Sequence, residues 1–297
     1  MSILKKDYLL HKVRLRLISG RIRREKARVI KRNAERELEY GLLQGKIRSE
    51  RIIVSLTSFP KRFSTIHICL KSLLLQDEKP DRIIVWFGED VREDMLTPEM
   101  RELEEYGIEY RFVPGDLKPH KKYFYAMQEF PDAAIITVDD DVVYPSDTIS
   151  SLMKAHRANP GAVCARRLHV MKKDKEGNLL PYTKWKHDCR SGRKPSMQLF
   201  ATGVGGVLYP PCSIHPEAFD AGRIAELCLG ADDVWLKCME MRQGTPVVRV
   251  PCLLTEPPVI PEAQQSALNQ TNVNAGGNDR YIENMFSLYP ELMELLD

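Results

Sequence analysis

The sequence is poor in the features that would place it at once. Its seven cysteines are scattered, odd in number and never spaced C-x-x-C. That argues against a disulfide framework and a structural zinc site, and favours a reducing compartment. No apolar run approaches the roughly 18 residues of a membrane-spanning helix, so no transmembrane segment is expected. Lys5, Lys6, Lys12, Arg14 and Arg16 break up the N-terminal apolar positions, and no signal peptide is expected either. There is no G-x-x-x-x-G-K-[ST] phosphate loop and no G-x-G-x-x-G after the first apolar run, which demotes P-loop enzymes and dinucleotide dehydrogenases. Net charge is small, +3 over 297 residues, and no internal repeat is visible. With 43% hydrophobic residues, a disordered polyelectrolyte is excluded and a sizeable core is available.

The small net charge hides an asymmetry. Residues 1–50 hold 15 Lys/Arg against 6 Asp/Glu, a balance of +9, and the remainder has a balance of −6. The arm is helix-prone, with Leu10, Val13 and Leu17 at helical spacing among many arginines, and Gly20 is expected to break or bend it. Three arrangements suit it: a solvated helical pair beside the body, an interfacial helix on an anionic membrane, or a phosphate-binding nucleic-acid arm. The last is disfavoured, because Tyr8 and Tyr40 are its only aromatics, and nucleic acid is not an expected partner.

Beyond residue 50, runs rich in β-branched residues recur at 51–56, 82–87, 108–113 and 133–138, with helical patterns near 64–76, 97–106 and 119–130. This is the spacing of βαβ units around a parallel sheet covered on both faces, with 108–113 alternating as an edge strand does. Ser64 is expected to cap the first of these helices, and Thr97 with Pro98 to open the second. Later segments read as an exposed turn at Lys172–Asn178, a Gly-broken strand over Gln198–Tyr209, a helix over Asp232–Arg242, a strand over Pro246–Val250 and a linker at Glu256–Pro261.

Two acidic groups stand out. Asp139-Asp140-Asp141 follows the fourth strand directly, at the carboxyl edge where open α/β sheets bind ligands. In an extended continuation Asp139 and Asp141 share one side and Asp140 faces the other. Adjacent carboxylates repel, and a hard divalent cation, Mn²⁺ or Mg²⁺, relieves this using one or two of them plus water and phosphate oxygens. The competing reading is an Asp-rich turn before a helix starting near Ser146. Gly230-Ala-Asp232-Asp233-Val-Trp235 reads as a helix start, where one acid serves as cap and the other as general base. Gly203-Val-Gly205-Gly206 marks a bulge or a close backbone approach to a ligand, with Gly205 and Gly206 as candidates to line its pocket. Lys121 and Lys122, at a strand-to-helix turn, are candidates for holding phosphates. Trp235 and Trp185 are candidates for stacking on a ligand's ring, although core packing is the commoner fate of tryptophan.

Taken in order, these segments resemble bacterial glycosyltransferases of the GT-A fold. The resemblance covers roughly 50–255 and is carried by Ser55-Leu-Thr57-Ser58-Phe-Pro60, Glu89, His120-Lys121-Lys122-Tyr123, Asp139-Asp140-Asp141 as a D-x-D motif, Gly203–Pro211 and Ala231-Asp232-Asp233. The wording is closest to polysaccharide-assembly transferases. The resemblance implies a Rossmann-like, mostly parallel α/β sheet flanked by helices over 51–255, preceded by the basic helical arm 1–50 and followed by a linker and tail over 256–297. It implies a nucleotide-sugar donor, with a UDP-sugar expected, and a glycan or lipid-linked acceptor. Thr57 and Ser58 would lie near the base, Glu89 near base or ribose, and Asp139 and Asp140 on the donor. Asp141, with Asp139, would hold the metal. Asp233, the second acid of the pair, would be the base of an inverting transfer, with Asp232 beside it. No Q-x-x-R-W follows, so a processive synthase is not expected.

The expected function is therefore metal-dependent sugar transfer in surface-polysaccharide synthesis, in the cytoplasm or on the inner membrane face, with 1–50 as the contact to an anionic membrane. Two alternatives stand beside it. A sugar-phosphate nucleotidyltransferase shares sheet and metal, but usually carries a Gly-rich basic loop where Ser55–Arg62 has no glycine. A non-catalytic nucleic-acid- or membrane-binding adaptor would have no need of the acid groups.

Overall fold

The computed structural model describes residues 2–190, 194–266 and 277–296. Strands form where the apolar runs lie: β1 (Ile52–Thr57), β2 (Arg82–Phe87), β3 (Ile108–Phe112) and β4 (Ala134–Thr137). All four run parallel, with β1 between β2 and β4 and with β3 outside β2. The sheet continues through β5 (Val163–Ala165), β8 (Val207–Tyr209) and β9 (Val247–Arg249) in the order β3-β2-β1-β4-β8-β5-β9. Only β8 runs antiparallel to its neighbours. A separate antiparallel pair, β6 (Leu168–Val170) with β7 (Leu199–Ala201), rises beside it.

The central strands are buried on both faces because helices cover both, which is why they read as continuous apolar runs rather than alternating ones. On one face Ile52, Val54, Leu56, Val85 and Phe87 pack against α2 (Ile66–Leu74) and α3 (Pro98–Glu102), and α5 (Thr148–Ala158) extends this layer. On the other, Ile53, Ile84 and Ile135 pack under Ala126 of α4 (Lys121–Glu129) and Phe130. β3, at the edge, is half-buried from Glu109 to Arg111 and exposed at Phe112. A second core gathers β6, β7, α6 (Ala221–Leu227), α7 (Asp232–Gln243) and α8 (Gly277–Leu288), with Trp235, Met239, Ile282, Met285 and Leu292 inside it. The residues after 256 thus contribute to the core. Segment 258–260 also runs along the acidic loop, where Val143 N–H donates to Pro258 O and Ile260 N–H to Asp141 O, both at 2.8 Å.

Several local expectations are corrected. The arm is one unbroken helix, α1 (Ser2–Glu35), passing through Gly20, where a Cβ would meet nothing within 4 Å. A lone helical glycine costs only about 1 kcal/mol, too little to break so long a helix. The second half of α1 docks on the body: Val29 and Asn33 are buried, and Asn33 Nδ2 donates to Ile68 O at 3.0 Å. Ser64 does not cap α2; Thr65 holds that position and makes no side-chain cap bond. Thr97 does cap α3, its hydroxyl accepting from Met100 N–H with Pro98 following. The helix expected near Ser146 begins at Thr148. Gln198–Tyr209 is not one strand but β7 and β8, separated by a 3₁₀ turn over Gly203–Gly205. Lys172–Asn178 is the exposed turn expected, closed by Asp174 N–H to Asn178 O at 2.8 Å. Among the described residues no helix is long and apolar enough to cross a membrane.

Candidate active site

The carboxyl ends of β1 and β4, the start of α4, the β7–β8 turn and the start of α7 converge on one cluster of charged side chains. β4 ends at Thr137, and Asp139-Asp140-Asp141 follows with a bend at Asp140 and Asp141, Asp140 buried and the other two half-buried. Asp139 Oδ1 receives the Lys122 ammonium at 2.8 Å. Asp140 turns inward, taking the Ser58 hydroxyl at 2.5 Å and the Arg62 guanidinium at 2.9 Å. Arg62 also reaches Asp141 Oδ2 at 3.0 Å, so Asp140 and Asp141 share one cation and Asp139 uses another. Burial raises the Asp140 carboxyl to about 6, against the opposing pull of Arg62. The loop is fixed from behind by Tyr144, whose hydroxyl accepts from Asp139 N–H at 2.8 Å and donates to Val204 O.

The second acid pair meets the first through Lys122 and Gly203. α7 starts at Asp232 with Ala231 at the cap position, so neither aspartate serves as the cap. Asp232 faces the Lys122 ammonium at 2.9 Å, off the hydrogen-bonding direction, as an ion pair. Burial works against ionisation of Asp232, but the Lys122 ammonium overcomes it and keeps the carboxyl below its ordinary range. Asp233 has the opposite balance. Among the described residues its carboxylate takes only the Gly203 N–H, at 3.1 and 3.3 Å, and burial, then the charge of Asp232, hold it well above the ordinary carboxylate range. Gly203 lies at the crossing point: a Cβ there would come to 3.0 Å from Lys122 Nζ, 3.2 Å from Asp139 Oδ1 and 3.4 Å from Asp233 Oδ1. Glycine at 203 is therefore what lets the two acid groups approach.

The remaining candidates fall around this centre. Thr57 Oγ1 donates to Trp86 O at 2.7 Å at the end of β1. Glu89, exposed after β2, accepts from Gly115 N–H at 3.1 Å. Lys121 is engaged by Asp116, so both lysines of the pair are held by carboxylates. His120 is fully buried between the Tyr123 hydroxyl and Cys228 O, and burial lowers its imidazole to about 4, so it is neutral. Gly205 and Gly206 are buried behind the turn, and Gly203 is the glycine among the acids. Trp235 is not a sugar platform: it is fully buried and its indole N–H donates to Ala218 O. α7 is buried almost all round from Val234 to Met241, so no face of it offers a tryptophan to the cleft. Arg62 is not marked by the sequence, because 78 residues separate it from Asp140 and no local spacing links them.

The donor set suits a divalent cation. Five carboxylates (Asp139, Asp140, Asp141, Asp232 and Asp233) surround two cations, Arg62 and Lys122. Asp139 and Asp141 keep 30% and 17% of their side-chain surface exposed. Among the described residues no three His, Cys, Asp or Glu are grouped to hold a metal alone.

A Rossmann-like sheet with facing acid groups at its carboxyl edge is the GT-A architecture of glycosyltransferases. The family model described as glycosyl transferase family 2 matches residues 56–206, just over half of the chain, and the chain belongs to that family. Among solved structures it is similar to a mannosyltransferase from Pyrobaculum calidifontis, described in complex with GDP-Man and Mn²⁺, at 12% identity and a TM-score of 0.44 over 80% of this chain and 64% of the other. It thus spans just under two thirds of that protein's length. It is also similar to a CMP:2-keto-3-deoxy-manno-octonic acid synthetase complexed with CTP, at 12% identity, a TM-score of 0.41 and coverages of 76% and 100%. A 4-diphosphocytidyl-2C-methyl-D-erythritol synthase follows at 10%, 0.41 and coverages of 71% and 93%. No curated protein matches the chain in sequence.

Proposed function

We propose that this glycosyltransferase moves a sugar from a nucleoside diphosphate sugar to an acceptor hydroxyl in one displacement, with inversion and with Asp233 as general base. The observation that carries this reading is the contrast between the two adjacent aspartates. Asp232 is tied to Lys122 and stays ionised, whereas Asp233 has no cation within hydrogen-bonding distance among the described residues and retains a high proton affinity. A pair whose environments push their proton affinities apart divides the work between an electrostatic partner and a proton acceptor.

The acceptor oxygen attacks the anomeric carbon and its proton passes to Asp233. The bond to the diphosphate breaks, and the nucleoside diphosphate leaves with the electron pair. Asp141 and Asp139 would hold Mn²⁺ or Mg²⁺, which when bound supplies Lewis-acid charge opposite the departing diphosphate. Lys122 fixes Asp139 and Asp232 together, and Arg62 fixes Asp140 and Asp141. Thr57, Ser58 and Glu89 lie at the ends of β1 and β2, where base and ribose would rest. The test is nucleotide binding. The parent should show a thermal shift with UDP or another nucleoside diphosphate plus Mn²⁺, and Asp141→Ala should lose it while keeping its own midpoint in the absence of ligand. Equal shifts in the two proteins would remove Asp141 from the metal.

Surface-polysaccharide assembly and membrane association belong to the same proposal. Arg21, Arg23, Arg24, Arg28 and Lys31 are exposed on α1 together with Leu17, Ile18 and Ile30, a combination suited to an anionic lipid surface. Each cation near such a surface is worth roughly 1 kcal/mol. Replacing Arg21, Arg23 and Arg24 by glutamate should release the protein from phosphatidylserine vesicles, and unchanged co-sedimentation would discard the membrane role.

A further inference from the structure

The cations around the cleft are matched by carboxylates: Lys122 by Asp139 and Asp232, Arg62 by Asp140 and Asp141, Lys121 by Asp116, and Arg166 by Asp147. Arg167 is not. Among the described residues it has no carboxylate within ion-pair distance, and its side chain has one polar partner, Thr202 Oγ1, at 3.1 Å. Arg167 is half-buried and extends the β6–β7 ladder one pair beyond Leu168 and Ala201. Thr202 N–H and Oγ1 donate back to Arg167 O at 3.1 and 3.4 Å, so the backbone beneath the guanidinium is fixed.

The position is next to the reacting centre. Thr202 precedes Gly203, whose N–H holds Asp233. Tyr182, raised mainly by burial, is also raised by Asp233 and lowered by Arg167, which puts its hydroxyl within the field of both. On the other side the Gly203–Gly206 turn passes so close that a Cβ on Gly205 would lie 3.0 Å from Arg167 N and 2.8 Å from Thr255 O. A second guanidinium lies on the far side of that turn, with Arg190 Nη2 3.5 Å from Thr255 Oγ1, Nη1 3.4 Å from Leu253 O and a loose ion pair to Asp188 at 3.9 Å. A half-buried guanidinium without a counter-charge loses part of its hydration, and the single Thr202 hydrogen bond replaces only some of it, so a bound anion would be favoured there. Its planar fork suits the paired oxygens of a phosphate or carboxylate.

We propose that Arg167, supported by Arg190, is an anion subsite for the acceptor, so that the acceptor carries a phosphate or carboxylate group close to the hydroxyl it presents to Asp233. This rests on the glycosyltransferase reading and deepens it by naming the acceptor's chemistry. The anion can come from a lipid phosphate or from an acidic sugar. The test titrates the full-length enzyme, saturated with UDP and Mn²⁺, with undecyl phosphate, methyl glucuronide and, as neutral controls, undecanol and methyl glucoside. Saturable binding of one anionic probe, at least tenfold tighter than its neutral partner, identifies the source. R167Q, which keeps a donor for Thr202, should weaken that binding about tenfold or more, with R167K in between, while the affinity for UDP stays at the parent value. Anions that bind no better than neutral probes, binding that R167Q leaves unchanged, or competition between the anion and UDP would each overturn the proposal. If no nucleoside diphosphate binds at all, the glycosyltransferase reading fails with it. That failure is distinct from nucleotide binding without acceptor-anion binding.

Discussion

Asp233→Asn should lower turnover by about 10²- to 10⁴-fold, the usual cost of a lost general base, and leave nucleoside diphosphate affinity at the parent value. Asparagine still accepts the Gly203 N–H, so the turn that carries the site stays in place. What is lost is the proton acceptor. The effect has a pH signature. Burial and the Asp232 charge raise the Asp233 carboxyl, so the working, deprotonated form fills only as pH rises past a midpoint above the ordinary carboxylate range. Activity of the parent should rise through that midpoint, and the variant's residual activity should lack the rising limb. The same shift has a stability consequence. A carboxyl whose folded-state pKa is raised adds stability that is full below its unfolded pKa and is lost as pH rises through the folded value. The parent's melting midpoint should therefore fall across that window more than the variant's. A variant that keeps turnover, or that loses UDP affinity as Asp141→Ala should, would place Asp233 at the metal or outside the chemistry.

The second large effect is expected at Lys122. This ammonium is buried, with 6% of its side chain exposed, and stands between Asp139 and Asp232. Lys122→Met removes the cation and leaves both carboxylates facing each other with their burial unrelieved. Breaking a buried pair from one side typically costs about 3–5 kcal/mol. In a domain of this size that is a fall in melting midpoint on the order of 5–10 °C, with loss of turnover. The double variant Lys122→Met/Asp232→Asn removes one of the stranded charges, and should recover part of the stability but not the activity. A single variant as stable as the parent would mean that Lys122 is not what holds the two acid groups together.

Much of this was legible in the sequence because of what parallel strands require. A strand buried on both faces has no polar face to interrupt it, so Ile52–Thr57, Arg82–Phe87 and Ala134–Thr137 announce themselves as unbroken apolar runs. The acids were legible for a related reason: three aspartates directly after such a strand have no place in a core. What was not legible depends on contacts distant in sequence. Arg62, on the turn between β1 and α2, finds Asp140 across 78 residues, and Lys122 is drawn from an expected phosphate-binding role to an internal counter-ion by Asp232, 110 residues away. Gly203 matters because of three side chains from three other elements, which a run of glycines in sequence cannot reveal. Trp235 misled because α7 is enclosed on nearly every side, so its position along the helix carries no information about the cleft. Gly20 misled because its local cost is small beside that of ending a long helix.

The stereochemistry of the bond that forms is the most direct measure of the proposed chemistry, and it can be read without knowing the acceptor. Water stands in for the acceptor hydroxyl when the enzyme, with Mn²⁺, is given an α-linked nucleoside diphosphate sugar alone. Proton NMR then follows the first anomer released, before mutarotation mixes the two. The predicted result is the β-sugar, formed at a rate that collapses in Asp233→Asn. Release of the α-sugar, with the donor's configuration retained, would contradict a single displacement with Asp233 as its base.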